Sequence, residues 1–470
     1  MSITAPDLGV AYYAFEWAIR IGALIVVPQR RKPAAAMGWL LFIFFLPLPG
    51  LLLFLAIGRP SFPAWRTKRF HALMPYFQRV AVRLKADAPV NLGSDGPLSA
   101  LADRLGHLPA TGGNSVELID DYDGVISRLI ADIDAARHDV SLLVYIFADG
   151  PTAQRVIAAL REAVARGVTC RVMLDPVGSW QWLPGAANAL RAAGVQTHEA
   201  LPFHLWRGRT RRDMRNHRKL FVIDGRIGYV GSQNIVAKDF RPGVVNRELV
   251  ARITGPTVAA MVAVIQGDWF LETEADPGDV PAVPAPVSNA VLQLLPSGAD
   301  YPLEGFQTLL VWMLHQAVDH AILVTPYFIP DESILGAMRT AAARGVVVDV
   351  VVSAVVDQRL VNLAQSSYYA DLLAAGVRIH LFRDFLLHAK NISIDGRVAI
   401  IGSSNVDLRS FQLNEEVSLL LLDDGSVAQV EAIQQGYLRE SDRLDAASWR
   451  QRSHLRKIVE NIARLLSPLL

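Results

Sequence analysis

The sequence predicts an α/β protein built from two copies of one domain, each around a largely parallel or mixed sheet, behind an apolar N-terminal hairpin. Three observations carry this reading. Short Val/Ile/Leu runs alternate with Ala/Arg-rich helical patterns from about Ser115 onward. The same order of landmarks then occurs a second time. One set of chemically active residues appears once in each copy. A chain of 470 residues also exceeds a single ordinary core, so two soluble domains plus an appendage are expected.

The appendage comes first. Mean hydropathy is +0.27, high for a soluble enzyme, and the excess sits mostly in the first sixty residues. Met37 to Gly58 carries no charge and is about as long as a ~30 Å hydrocarbon layer requires. Pro47 and Pro49 interrupt it, which predicts a kinked or folded-back segment. Ala11 to Val27 is the poorer candidate for a lipid-facing span, because Glu16 and Arg20 lie on one helical face, where they can pair. Arg30, Arg31 and Lys32 separate the stretches, and Arg59, Arg66, Lys68 and Arg69 follow the second. If both cross, the charge bias toward cytoplasmic catalytic domains is marginal. A cleaved signal peptide is not expected, since no basic segment precedes the first stretch and no small-residue cleavage site follows it.

The duplication is read from ordered landmarks. Ser141 to Phe147 (SLLVYIF) leads into a helix, the turn Ala165-Arg166-Gly167-Val168, a strand ending at Leu174, and later Ala193-Gly194-Val195. Ala321 to Phe328 (AILVTPYF) leads likewise to Ala343-Arg344-Gly345-Val346, a strand ending at Val352, and Ala375-Gly376-Val377. Pro277, Pro281, Pro284 and Pro286 mark an aperiodic boundary. The expected division is a membrane hairpin at 1–60, a juxtamembrane linker at 61–114, a first domain at 115–275, a Pro-rich linker at 276–288, and a second domain with a C-terminal helix at 289–470.

Each copy carries one motif. His217, Lys219 and Asp224 match His388, Lys390 and Asp395 in spacing, and Gly225 and Gly396 follow. Ser232 and Asn234 stand fifteen and seventeen residues after His217, as Ser403 and Asn405 do after His388. Glu248 and Glu416 follow further on. Repetition inside a duplicated framework separates these histidines from others such as His71, His138 and His320, which read as surface or helix-end residues. On a strand, His and Lys two apart share a face. Asp seven residues after His has the opposite parity and precedes a Gly, so the residues themselves favour a turn or salt-bridge role for Asp224 and Asp395.

Phosphodiester chemistry suits this set if the halves face each other. One neutral imidazole can attack phosphorus while the other, protonated, donates to the leaving alkoxide and later accepts the proton of the incoming hydroxyl. Lys219, Lys390, Ser232, Ser403, Asn234 and Asn405 can supply donors to the phosphoryl oxygens, and Glu248 and Glu416 can orient the imidazoles through their other nitrogens. No metal or other cofactor is called for, and no clustered metal-ligand set stands in the sequence.

The paired motif resembles the phospholipase D superfamily. QRRKPAAAMGWLLFIFFLPLPG, RNHRKLFVIDGRIGYVGSQNI, LPSGADYP, TPYFIPDESI, LHAKNISIDG, GSSNVDLRSFQLNEE and RLLSPLL further resemble its bacterial cardiolipin synthase branch, over nearly the whole chain. The resemblance implies two phospholipase D-like domains packed about a pseudo-twofold axis behind a transmembrane hairpin. It implies a multi-pass protein of the bacterial inner membrane with cytoplasmic catalytic domains. It also implies conversion of two phosphatidylglycerol molecules to cardiolipin and glycerol through a phosphatidyl-histidine. Its motif makes His217, Lys219, Asp224, His388, Lys390 and Asp395 the catalytic set, with His217 favoured as nucleophile by analogy. One asymmetry stands out: His to Glu is 31 residues in the first copy and 28 in the second.

The first copy also has 23 residues from Gly194 to His217 against 12 from Gly376 to His388. The addition holds Phe203, Trp206, Arg207, Arg209, Arg211, Arg212 and Arg215, a mixture suited to an anionic lipid surface. Lys+Arg 46 against Asp+Glu 45 gives no surplus for a nucleic-acid partner, which disfavours a nuclease of the same superfamily. A phospholipase D hydrolase shares the motifs and differs only in acceptor binding and water exclusion. A non-catalytic scaffold is disfavoured by intact His-Lys pairs in both copies. The lone Cys170 excludes an intramolecular disulfide and fits a reducing compartment.

Overall fold

A computed structural model describes residues 5–31, 33–58, 62–202 and 213–465. It opens with α1 (Ala5–Val26), α2 (Pro33–Phe45) and α3 (Pro47–Ile57). Met37 to Gly58 is therefore not one span. The helix breaks at Leu46 (φ −131°, ψ 75°), because a proline ring at position 47 removes a donor and clashes with the preceding turn. α3 then folds back so closely on α2 that a Cβ at Gly50 would lie 2.8 Å from the Ile43 Cα. Helices of 13 and 11 residues rise only about 20 and 16 Å, roughly two thirds and one half of a ~30 Å bilayer core.

The fold-back expected from Pro47 and Pro49 is present, and the stretch read as the poorer span forms the longer apolar helix. Among the described residues, α1 is the helix long and apolar enough to cross a membrane, over Gly9–Val26. Its charges are internally matched: Arg20 pairs with Glu16 at 3.2 Å, and its Nε donates to the Phe44 carbonyl at 3.1 Å. The tip of the α2–α3 pair therefore meets α1 at Arg20, in the last third of that helix.

The segment 61–114, expected to be a linker, is built into the fold. It holds α4 (Ala64–Asp87) and α5 (Gly96–Gly106). α4 buries Phe70, Leu73, Tyr76, Phe77, Val80 and Leu84, spaced three or four apart on one face. At roughly 1.5–3 kcal/mol per fully buried apolar side chain, that face stabilises the fold by on the order of 10 kcal/mol.

In the first half, β1 (Thr111–Ile119), α6 (Tyr122–Ala135), β2 (Asp139–Val144), α7 (Pro151–Ala165), β3 (Thr169–Leu174), α8 (Leu183–Ala192) and β4 (Gln196–Glu199) precede the motif. β5 (Leu220–Ile223), β6 (Ile227–Gly231), β7 (Asn246–Arg247), β8 (Val250–Thr254) and α9 (Thr257–Thr273) follow it, with α4 packed on α9. Residues 276–288 form no helix or strand.

The second half repeats the plan with β9 (Ala290–Ser297), α10 (Gly305–Gln316), β10 (His320–Val324), β11 (Phe328–Ile329), α11 (Glu332–Ala343), β12 (Val347–Ser353), α12 (Arg359–Ala374), β13 (Arg378–Phe382) and β14 (Leu386–Leu387). After its motif come β15 (Asn391–Ile394), β16 (Val398–Gly402), β17 (Val406–Asp407), α13 (Leu408–Gln412), β18 (Glu416–Leu421) and α14 (Asp424–Arg439). β19 (Ser441–Arg443), α15 (Ala446–Arg450) and α16 (His454–Leu465) complete the described chain.

Each half forms a mixed sheet, in the order β4-β3-β2-β5-β6-β8-β1 and β13-β12-β10-β15-β16-β18-β9, with β19 added beyond β13. β1 and β9 pair antiparallel and join the two, so the strand order reads the same outward from that junction in both directions. Leu220, Val222, Val230 and Ala251 of the first sheet share a core with Ile322, Val324, Ala399, Ile401 and Val417 of the second. Two separate cores lie under the flanking helices, one containing residues of α6, α7 and α8, the other residues of α10, α11 and α12. The two sheets therefore turn one face each toward a shared core that also holds α4, α9 and α14, with β6 and β8 meeting β16 and β18 directly, and the motifs fall along the contact between halves.

Candidate active site

Each motif is placed by a short exchange of backbone between halves. His217 N donates to the Glu415 carbonyl at 2.8 Å, and Glu415 N donates back to the Arg215 carbonyl at 2.8 Å. In the other half β14 pairs with β7, and His388 N donates to the Arg247 carbonyl at 2.8 Å. Each histidine thus lies beside the segment that carries the opposite half's glutamate. The side chains follow. His217 Nδ1 lies 3.0 Å from both carboxylate oxygens of Glu416, and His388 Nδ1 lies 2.7 Å from Glu248 Oε1. The pairing crosses between halves, a point the sequence left open. With Nδ1 occupied, Nε2 is the nitrogen left for chemistry.

Both imidazoles line one cleft of about 320 Å³, together with Tyr145, Asn234, Phe240, Arg241, Tyr327, Asn405, Asp407 and Arg409. The rings stand edge-on to equivalent tyrosines, Tyr145 to His217 at 4.7 Å and Tyr327 to His388 at 6.3 Å between centroids. Lys219 and Lys390 point back along the motif, each donating from Nζ to the carbonyl of its own histidine, at 2.7 and 2.5 Å.

Burial dominates the electrostatics. It pushes both imidazoles down to about 4, against the opposing pull of Glu416 on His217 and of Glu248 on His388. It lowers Lys219 to about 7 and Lys390 to about 8. For the glutamates burial works upward, but the adjacent imidazoles and lysines outweigh it and hold both carboxyls below the usual range. Near pH 7 both imidazoles of the cleft are therefore neutral, and the two ammonium groups beside them titrate close to that pH.

The carboxylates are supported unequally. Glu416 accepts from Ser403 Oγ at 2.5 Å, Ser410 Oγ at 3.0 Å and Asn414 Nδ2 at 3.3 Å besides His217. Around Glu248 the closest contact is the short one to His388. Behind His217 lies a buried ionic cluster. Arg218 pairs with Asp268 and with Glu415 at 2.7 Å, and Asp300 N approaches Glu415 at 3.4 Å. Arg66 of α4 joins it through Asp300 at 3.0 Å and Glu272 at 2.6 Å.

Several expected roles change. Ser232 and Ser403 do not serve as free donors to a phosphate: Ser232 Oγ exchanges hydrogen bonds with Leu249, and Ser403 Oγ with Glu416 and Val417. Asn234 and Asn405 do line the cleft, with Asn234 Oδ1 fixed by Ile146 N at 3.0 Å. Asp224 and Asp395 are carried to the far end of their strands, away from the cleft. Asp224 Oδ1 accepts from the amides of His138 and Asp139, and Asp395 Oδ1 from those of Asp319 and His320. Asp224 (φ 52°) and Gly225 (φ 59°) form a mirror-image hairpin turn, as do Asp395 (φ 54°) and Gly396 (φ 65°).

Of the basic loop, Phe203, Trp206, Arg207, Arg209, Arg211 and Arg212 lie outside the described residues. Arg215 is no surface residue: it is buried against Asp175 at 3.2 Å. Sequence reasoning missed Arg241 and Arg409. Their signals were available, since the longer His-to-Glu spacing of the first copy includes Arg241, and Arg409 stands four residues after Asn405.

The family profile described as "Cardiolipin synthase, PLD-like domain" matches residues 129–269 and 310–436, one match on each half. A profile described as "Phospholipase_D-nuclease N-terminal" matches residues 18–59. Cardiolipin synthase A of Serratia proteamaculans is 35% identical over 97% of both chains, and that of Salmonella paratyphi B is 36% identical over the same shares. The chain belongs to the cardiolipin synthase family. Family membership extends through the N-terminal helices as well as the two halves, because the alignments run nearly end to end. In fold, the chain is similar to a phosphatidylserine synthase from Haemophilus influenzae, with a TM-score of 0.62 at 14% identity over 81% of this chain and 100% of that one.

Proposed function

We propose that the chain is a phosphatidyltransferase that makes cardiolipin from two phosphatidylglycerol molecules, releasing glycerol. The observation that carries this reading is the pair of imidazoles on one cleft, each braced at Nδ1 by the carboxylate of the opposite half. Nε2 of one neutral imidazole attacks phosphorus. The ester bond to glycerol breaks, and the leaving oxygen takes a proton from the second imidazole. A phosphatidyl-histidine remains. The second imidazole then removes the proton from the free headgroup hydroxyl of another phosphatidylglycerol, whose oxygen attacks phosphorus and frees the first histidine.

The unequal bracing favours His217 as nucleophile. Glu416 divides its charge among four donors and so pulls less on the His217 proton, whereas Glu248 has fewer partners, Ser232 besides His388, so that more of its charge bears on the His388 imidazolium. Lys219, Lys390, Arg241 and Arg409 supply positive charge to the phosphodiester, and Asn234 and Asn405 supply amide donors.

The same reading places the chain on a membrane with α1 as a span and α2–α3 as a re-entrant pair. Arg30 and Arg31 then fall on the same side as Lys68 and Arg69, and the positive-inside rule puts that side, with both catalytic halves, in the cytoplasm. Arg20, held by Glu16, would cover the Phe44 carbonyl at the turning point, where lipid offers no hydrogen bond. The deciding experiment gives purified protein labelled phosphatidylglycerol in mixed micelles and identifies the products. Cardiolipin with stoichiometric glycerol supports transfer. Phosphatidic acid alone would identify a hydrolase.

A further inference from the structure

We propose that α16 is a second membrane contact, an interfacial helix that lays its apolar face on an anionic bilayer beside the mouth of the catalytic cleft. Leu455, Ile458, Val459, Ile462 and Leu465 recur at three- and four-residue spacing on one side of this helix, and all five are exposed, from 41% to 78%. The side turned to the protein is the opposite of what a core-packing helix presents. It buries Ala463 and the carboxylate of Glu460, the latter held by Arg452 at 2.8 Å and Arg456 at 3.0 Å. Arg464 ties α16 to the domain through Glu332 at 3.4 Å and Asp371 at 3.7 Å, and the apolar stripe is left uncovered.

Charge identifies the occupant. From Ala446 to Leu465 there are five Lys/Arg against one Glu, so a basic rim borders an apolar stripe, the pattern of a helix lying at an anionic lipid interface. A second copy of this helix would bring the same excess of positive charge against itself. Position agrees. α16 packs along α12, and Gln358 and Val361, at the start of α12, line the cleft. An α16 bound to the bilayer would hold that wall against the surface that supplies the lipid substrate. This last step rests on the transferase reading, whereas the contact itself does not.

The test uses the full-length protein, one copy per nanodisc containing phosphatidylglycerol. Ile458→Cys, Ile462→Cys and the polar-side control Asn461→Cys are each labelled with an environment-sensitive fluorophore; Cys170 is buried and stays out of reach. Lipids brominated in the acyl chain should quench and blue-shift the probes at 458 and 462 at least threefold more than the probe at 461, with or without turnover. Equal, weak quenching at all three positions overturns the proposal, even in protein that still makes cardiolipin. So does excimer formation between pyrene-labelled Ile458→Cys copies in detergent that persists in bilayers, which would assign the face to self-association.

Discussion

Exchanging Glu416 for Gln tests the crossed bracing directly, because the residue belongs to the second half and the imidazole it braces to the first. His217 Nδ1 stands 3.0 Å from both oxygens of a fully buried carboxylate. A hydrogen bond to a charged partner contributes about 1.5–3 kcal/mol, against about 0.5–1.5 for a neutral one, so the change removes about 1–2 kcal/mol of orientation and charge support. An amide that donates to Nδ1 also drives the proton to Nε2 and hides the attacking lone pair. Together these effects should raise the barrier by about 3–4 kcal/mol, a loss of roughly 10²–10³-fold. The assay is single-turnover release of p-nitrophenol from a phosphatidyl-p-nitrophenol ester, whose leaving group needs no acid and therefore reports on the nucleophile alone. E416Q should slow the release by that factor and His217→Ala should abolish it, whereas E248Q and His388→Ala should keep most of it and fail in transfer to phosphatidylglycerol. Release at the normal rate in E416Q, with loss in E248Q, would refute both the crossing and the assignment of roles.

Because burial holds both imidazoles near 4, neither carries the extra proton that the leaving alkoxide needs at pH 7. An anionic phosphodiester raises the pKa of every imidazole and ammonium around it, so binding a non-reactive phosphonate analogue at pH 7 should take up about one proton, measured by calorimetry in buffers of different ionisation enthalpy; zero uptake or release contradicts the picture. Asp224→Ala removes the acceptor of backbone amides at the far end of the motif strand, at about 1–3 kcal/mol; it should lower Tm by several degrees while kcat stays within a few-fold. A collapse of kcat with unchanged Tm would return Asp224 to the chemistry. Arg66→Met leaves Asp300 and Glu272 buried without their cation, for an expected loss of about 3–5 kcal/mol in denaturant unfolding, and a loss under 1 kcal/mol would show that α4 is not anchored through this pair.

The duplication and the reactive pairs were legible because they are written as spacing, and the turn role of Asp224 and Asp395 followed from strand parity and the Gly after each. What stayed hidden depends on the relation between halves. No spacing within one copy says that Glu416 reaches His217 instead of His388, since that follows from the pairing of the Glu415 backbone beside His217. Ser403 read as a phosphate donor because its offset from His388 is right, and only the fold reveals that its hydroxyl is spent on Glu416. In the N-terminal region Pro47 and Pro49, inside an uncharged run of spanning length, pointed to the fold-back that the structure has. Pro47 outweighed composition there, whereas the paired charges of α1 left that helix unbroken.

The crossed pairing bears on why the two copies share a chain. Neither half holds a braced imidazole by itself, since each histidine takes its carboxylate, and the backbone acceptor for its own amide, from the other. The contact between halves must therefore keep one register, and an apolar face alone specifies register poorly because many offsets bury similar area. Arg218 supplies a stricter constraint. Its guanidinium is buried, and it meets Glu415 and the Glu416 carbonyl of the second half at 2.7 and 2.9 Å, along with Asp268 of the first. A slip of one residue would leave these charges unpaired inside the protein, at several kcal/mol for each ion, whereas the aligned register satisfies them and at the same time sets Glu416 against His217. Arg218 lies between His217 and Lys219, so the residue that fixes the register of the halves is carried by the motif that needs it.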